Sequence, residues 1–352
     1  MLLSTRSLLL SLLAAPFALA APSSPSLLAT RAAAVPPTTD APFSVSAATV
    51  QGAIECPFGI QRKPGGIVYL IHGTGSTGKE SWGSGPWVSL LPNLGPGFDV
   101  CYVTLPDRSQ GDAQISAEYV ARGVQFLAPQ SATGKVSLVG HSQGNLNIEW
   151  ALAFWPVAAR SLTAEYIALA ADFQGTLDGI LYCSATKILE GGCPAAEFQQ
   201  STGSHFVNTL RKATANSALV PTASIYTIYD EVVTPEVGPG ATSVINKASL
   251  YPLQDLDICG PLHPAEHFSM IIDPAAFEIG YKSLVAGKPI ARSAIDKRSC
   301  IDFYYGTGFN NNTFAKGAEL LEAIVKDVVS FPTADVVKAE PAIKAYAAPY
   351  AA

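Results

Sequence analysis

The run Val136-Ser-Leu-Val139 leads straight into Gly140-His141-Ser142-Gln143-Gly144, and an apolar segment of helical character follows from Asn145 to Phe154. G-x-S-x-G in a strand–turn–helix setting is a nucleophile elbow. A serine at the tip of a strand must turn sharply to present its hydroxyl. The flanking glycines keep side chains out of the close approach between strand and helix. The helix N-terminus adds free amides and the positive end of its dipole. Alone the five-residue pattern is common, and a serine that merely caps helix 143–154 is the bland alternative. The β-branched run before it and the helical run after it favour the elbow, with Ser142 as nucleophile.

The rest of the chain alternates in the same manner. Ile67–Ile71 and Val100–Leu105 read as strands, the first bounded by Gly65, Gly66 and Gly73. Ile115, Tyr119, Val120, Val124 and Leu127 recur near a period of 3.6, which predicts a helix over 113–127 with Asp112 as its cap. Tyr166–Ala171 and Ser224–Tyr229 are further strands. Such alternation implies an α/β fold, a mostly parallel central sheet with helices on both faces, and the elbow set within it points to the α/β-hydrolase type.

The chain ends read differently. Arg6, the apolar run Leu8–Leu19 and Ala18-Leu19-Ala20 have the form of a signal peptide over 1–20. That run is shorter than the ~20 apolar residues a membrane span needs. Residues 21–42 are rich in Ala, Ser, Thr and Pro and read as a linker or pro-segment. The catalytic domain is expected over 43–334, and the Ala/Pro-rich residues 335–352 as a tail lying loosely on it. Charged residues make up 14% of the chain and its net charge is −6, so no basic patch for nucleic acid is in view. The six cysteines suit an oxidising compartment, and the expected location is extracellular. Cys183 and Cys193 flank a short loop. No spacing of Cys and His suggests zinc. Asn311-Asn-Thr313 is a glycosylation sequon in a secreted chain.

A serine hydroxyl needs a base to take its proton. The chain has five histidines. His72 precedes the elbow and His141 lies inside it. In this fold the order is serine, acid, histidine, which leaves His205, His263 and His267. His267 follows a loop broken by Pro261 and Pro264 and is preferred. Asp230, at the end of the strand Ser224–Tyr229, is placed to orient it. Asp172 ends another strand and is read as lining the acyl pocket, while Glu231 is read as solvated or bonding a loop. Gln143, after the serine, and the glycine-rich loop His72–Gly78 are the expected sources of oxyanion donors. Gly73-x-x-x-x-Gly78-Lys79 approaches a phosphate loop, but Glu80 stands where that motif needs Ser or Thr.

These residues resemble the Candida antarctica lipase B family across most of 53–300. The resemblance rests on Gly73-Thr74-Gly75-x-Thr77-Gly78, Ser142-Gln143-Gly144, Ala171-Asp172-Phe173-x-Gly175-Thr176 and Thr202-Gly203-Ser204. Asp230-Glu231-x-Val233-x-Pro235 and Cys259-Gly260-Pro261-Leu262 are its most specific strings. It implies a triad of Ser142, Asp230 and His267, with Thr74 and Gln143 as oxyanion donors and Thr74 giving its hydroxyl as well as its amide. It also implies disulfides Cys56–Cys101 and Cys259–Cys300. His141 stands where the best-known member of that family has a tryptophan on the alcohol side of the pocket, which should open or re-polarise that side. Residues 177–200 look like a disulfide-pinned insertion at the mouth, in the position of a lid. The implied protein is a secreted, cofactor-free, monomeric lipase acting on acylglycerols or other esters, at an oil–water interface where the substrate demands it. The rival readings are a short-chain or polyester-cleaving carboxylesterase with the same triad, and a lipid-binding protein that has lost the chemistry.

Overall fold

Ile67–Ile71 carries no charged side chain and is buried along its whole length. A strand greasy on both faces belongs in the middle of a sheet covered on both sides. The computed structural model describes residues 35–177, 191–301 and 335–351, with 315, 318, 319 and 322. Its strands are β1 (Ile54–Glu55), β2 (Ile67–Ile71), β3 (Asp99–Val103), β4 (Val136–His141), β5 (Thr163–Leu169), β6 (Cys193–Pro194), β7 (Thr222–Tyr226), β8 (Ser249–Pro252) and β9 (Val336–Val337). Seven of them form one sheet in the order β1-β3-β2-β4-β5-β7-β8. Only the edge pair β1–β3 is antiparallel; the other pairings are parallel. The α/β architecture expected from the sequence is therefore present. The short strands β6 and β9 pair separately.

Period-2 alternation divides the core. Ile67, Tyr69 and Ile71 of β2 join one apolar cluster, with Val120, Val124, Leu146, Trp150, Phe206 and Leu210 from three helices. Val68 and Leu70 join the other, with Trp82, Trp87 and Phe277. The first face is covered by helices Ala113–Leu127, Gly144–Phe154 and His205–Thr214. The helix Pro274–Ala286 contributes to the second. Helix 113–127 has the expected bounds, and Asp112 Oδ1 accepts from Gln114 N at 2.9 Å.

The chain leaves β2 for β3 on one side, then crosses to β4 on the other. The loops after β2 and β4 therefore diverge and leave a crevice at their carboxyl ends. A doubly wound sheet offers its ligand site there. Some strands end earlier than expected. β5 stops at Leu169 because Ala170 turns to a φ of 45°. β7 stops at Tyr226, and Ile228 N donates to Gln254 Oε1 at 3.0 Å instead of to a neighbouring strand.

Residues 35–42 and 335–351 are tied down more firmly than the composition of the two flanking segments suggested. Asp40 accepts from Val157 N at 2.7 Å, Arg160 donates to Pro37 O, and Ala41 N donates to Phe154 O. At the other end the expectation of a loose tail fails for residues 335–351. Trp150 Nε1 donates to Tyr346 Oη at 3.0 Å, Glu340 accepts from His205 N and Phe206 N, and Ala347 is buried. The physical reason lies in the few residues that are not Ala or Pro. Tyr346 and Tyr350 cover the aromatic patch around Phe154, and Glu340 meets free amides at a helix N-terminus.

Cys56–Cys101 and Cys259–Cys300 are bonded, with sequence separations of 45 and 41. Cys193 is disulfide-bonded too, while Cys183 lies outside the described residues. The sequon at Asn311 and most of the insertion 177–200 lie outside them as well. Among the described residues no helix is long and apolar enough to cross a membrane.

Gly144 is where the core meets the crevice. A Cβ there would sit 2.6 Å from Ile71 O. Gly144→Ala should therefore destabilise the protein by about 1–3 kcal/mol. A denaturant midpoint equal to that of the unaltered protein would contradict this account.

Candidate active site

The elbow departs from ordinary backbone geometry at one residue. Ser142 has φ 54°, a left-handed conformation that L-residues adopt at a cost. Hydrogen bonds hold it there. Ser142 N donates to Leu169 O at 3.1 Å. Asn145 Nδ2 donates to Ser142 O at 2.9 Å and to Leu169 O at 3.0 Å, and Tyr166 Oη donates to Asn145 Oδ1 at 2.6 Å. The turn also needs Gly73 opposite, where a Cβ would fall 2.8 Å from Ser142 Cβ. Helix Gly144–Phe154 begins immediately after, with its N-terminus at the serine.

The loops after β7 and β8 bring the two distant partners of Ser142 to it. His267 Nε2 lies 3.0 Å from Ser142 Oγ, and His267 Nδ1 lies 2.8 Å from Asp230 Oδ2. Asp230 Oδ1 accepts from Val232 N at 3.0 Å and Val233 N at 2.6 Å. Thr227 Oγ1 donates to Ala265 O, which ties one loop to the other. Glu231, expected to be solvated or bonding a loop, does the latter by accepting from His267 N at 3.2 Å. Both His267 and Asp230 are buried. Burial pulls the imidazole pKa down, but the Asp230 carboxylate outweighs it and the net shift is upward. This line of groups can move a proton from a hydroxyl to an imidazole and steady the imidazolium that results.

Ser142 N is already taken by Leu169 O and is not free to donate elsewhere. Among the described residues, no acceptor takes the amide N–H of Thr74 or of Gln143. The Thr74 hydroxyl is engaged, however. It donates to Gln143 Oε1 at 2.7 Å and accepts from Gln200 Nε2 at 3.0 Å. It must turn away from Gln143 before it can serve as a third donor. His72 fixes the loop from below. Leu105 N donates to its Nε2 at 2.9 Å, so Nδ1 carries the hydrogen and donates to Gly73 O at 2.7 Å. Burial holds this imidazole neutral, its pKa lowered to about 4. Arg108, paired with Glu80 at 2.7 Å, donates to Gly75 O and braces the far end.

The two pocket expectations land beside this line. The His141 ring centroid is 4.9 Å from that of His267, and its Nε2 donates to His267 O at 3.0 Å. Burial, then the neighbouring His267, lowers its pKa to about 3. Asp172 is fully buried, and among the described residues neither carboxyl oxygen has a hydrogen-bond partner. Burial raises it to about 7. The other candidate bases are elsewhere. His263 Nε2 is 2.8 Å from Asp273 Oδ2, and that aspartate also caps helix Pro274–Ala286, a structural pair. His205 is exposed at the start of its helix. Among the described residues, no three His, Cys, Asp or Glu gather as a metal site would need.

Asn145, Tyr166, His72 and Gln200 were not anticipated as supports of the site. The one available signal was polarity inside apolar runs: Asn145 opens a helix whose eleven residues are all buried.

No family model matches the chain. Among curated proteins it is 30% identical over 230 residues to lipase B of Pseudozyma antarctica, covering 64% of this chain and 64% of that one. It thus spans slightly less than two thirds of that relative's length. Among solved structures it matches Aspergillus fumigatus lipase B with a TM-score of 0.75 and 26% identity, over 88% of this chain and 74% of the other. Sheet order, elbow and these two likenesses agree: the chain has the α/β-hydrolase fold and is similar to the lipase B proteins of both fungi.

Proposed function

We propose that this protein is a secreted serine lipase that hydrolyses carboxylic esters, acylglycerols among them, through an acyl-enzyme. The observation that carries the reading is the line Ser142 Oγ–His267 Nε2–Asp230, with contacts of 3.0 Å and 2.8 Å, set on a left-handed serine. Ser142 Oγ attacks the ester carbonyl while His267 Nε2 takes its proton. Asp230 holds the Nδ1–H tautomer and balances the imidazolium. The amides of Gln143 and Thr74 donate to the oxyanion, joined by the Thr74 hydroxyl once it leaves Gln143. His267 then returns its proton to the leaving alcohol, and water repeats the sequence to free the acid. His141 and Asp172 face the substrate. The reaction needs no cofactor from these residues, and the protein acts as a monomer on ester or lipid, including lipid at an oil–water interface. The disulfides accord with an oxidising, extracellular location.

Purified protein should react with a fluorophosphonate at Ser142. Initial rates on p-nitrophenyl esters of rising acyl length, and on a triglyceride emulsion, then distinguish the readings. Ser142→Ala should lose several powers of ten in rate while remaining folded. Activity that reaches long chains and emulsion assigns a lipase. Activity confined to short soluble esters assigns a carboxylesterase. Turnover by Ser142→Ala equal to that of the parent removes the serine from its role.

The pH dependence follows from His267. The base must be neutral, and its pKa in the fold lies above the ordinary 6.5. The rate constant kcat/KM should therefore fall as pH is lowered through a value above 6.5, not below it. Asp230→Asn removes the group that lifts the imidazole and favours the wrong tautomer. Its rate should drop on the order of 10⁴-fold, and any residual acid limb should move to lower pH. A limb that stays in place would mean Asp230 does not set the imidazole.

A further inference from the structure

Ser243 has one hydroxyl hydrogen and two neighbours that contest it. Its Oγ lies 2.8 Å from Ala171 O and 2.7 Å from Glu236 Oε1. A carbonyl oxygen can only accept, so the hydroxyl hydrogen goes to Ala171 O. The contact with Glu236 then needs a hydrogen of its own, and a carboxylate has none. We propose that Glu236 is held as the neutral acid in the folded protein, its carboxyl O–H donating to Ser243 Oγ, and that it is a positioning residue binding the Asp230 loop to the Asp172 turn.

The surroundings fit a neutral group. Glu236 is buried, and no ion pair reaches it among the described residues. The titratable groups that face it are Asp230 and Asp172, and Tyr226 lies within its influence. A charge at Glu236 would stand buried beside the carboxyls of Asp230 and Asp172. Its other oxygen, Oε2, accepts from Ser243 N at 3.2 Å, as the carbonyl oxygen of an acid does. Burial raises this carboxyl to about 9.

What the contact joins gives it a role. The segment 171–176 and the segment 232–244 are laced together by hydrogen bonds. Thr176 Oγ1 donates to Val232 O at 2.9 Å, Thr242 Oγ1 to Gly175 O at 2.8 Å, and Gln174 Nε2 to Ala241 O and Val244 O. Ser224 Oγ on β7 donates to Ser243 O at 2.7 Å. Asp230 leads into one segment and Asp172 lies in the other. Glu236 therefore acts through the placement of Asp230 and Asp172 and touches no substrate. If it ionises, Ser243 has one hydrogen for two acceptors and the lacing loosens beside the site.

The sign of the stability effect follows. The folded state keeps a proton that the unfolded chain loses above the ordinary carboxyl range near 4.5. This contribution is complete below that range and is lost steadily as pH rises toward 9. Glu149, Glu165 and Asp172 are raised in the same direction, so only a comparison with a variant isolates Glu236.

The test is chemical unfolding of the full chain and of Glu236→Gln across pH 5 to 9, with kcat and KM measured alongside. Glutamine keeps the shape and a donor and cannot ionise. Relative to the variant, the unfolding constant of the wild type should rise by up to about tenfold per pH unit over the neutral range. The alkaline fall of kcat should be shallower in the variant, with KM unmoved. Parallel stability curves would overturn the proposal. If Glu236→Gln does not fold, carbon NMR titration of the Glu236 carboxyl in the wild type decides instead, and a midpoint in the ordinary carboxyl range would overturn it. Only the activity arm rests on the ester-hydrolase reading. A slope difference in a protein without esterase activity would sink that reading and leave Glu236 standing.

Discussion

The hydrogen bond from Ser142 N to Leu169 O fixes the geometry on which the rest of the site depends. It joins β4 to β5 one residue beyond the end of the regular ladder and forces the serine into its left-handed turn. A strained residue of this kind costs on the order of 1–3 kcal/mol and persists only where its surroundings leave no alternative. Here they leave none. Gly73 and Gly144 leave room for the turn, and the Asn145 amide bridges both its ends while Tyr166 holds that amide in place. With the serine fixed, its hydroxyl faces the loops that carry His267 and Asp230. Its own amide is spent, while those of Thr74 and Gln143 have no acceptor among the described residues.

The elbow, the alternation of strands and helices, and the order of serine, acid and histidine were legible because each rests on short-range rules. A glycine pair, a run of branched residues and a period of 3.6 can be read without knowing the fold. The supports were not legible, because their partners are distant in the chain. Gln200 reaches Thr74 across 126 residues, and Glu340 meets the helix at His205 across 135. The final residues of β5 and β7 misled for a related reason. Apolar sequence continues past Leu169 and Tyr226, but the backbone has already turned toward the crevice. The Ala/Pro-rich ends misled most. Composition describes the average residue, and two tyrosines and one glutamate were enough to bind a segment that its alanines would not.

The sparse charge of the chain also has a structural counterpart. Glu149, Glu165, Asp172 and Glu236 are all buried, and burial raises each of them. The lone buried carboxylates of this protein do not resemble the paired charges of a surface. They are polar groups enclosed in an apolar medium, where the proton is the least costly partner. His72 and His141 show the same rule from the basic side, each kept neutral with its tautomer set by a backbone carbonyl. Against that neutral background, His267 with Asp230 and His263 with Asp273 are the sites where burial and an opposing carboxylate act on the same imidazole and the carboxylate wins.

Tyr350 Oη donates to Val35 O at 2.8 Å. The first and last stretches of the described body therefore meet, and one contact closes the polypeptide into a loop around the helix Gly144–Phe154. Both stretches lean on that helix, through Ala41 N to Phe154 O on one side and Trp150 to Tyr346 on the other. Fraying of either stretch therefore strips contacts from the same helix. The clasp sits on the helix whose first turn faces Ser142. Peeling back either stretch thus withdraws support from the helix that carries the elbow.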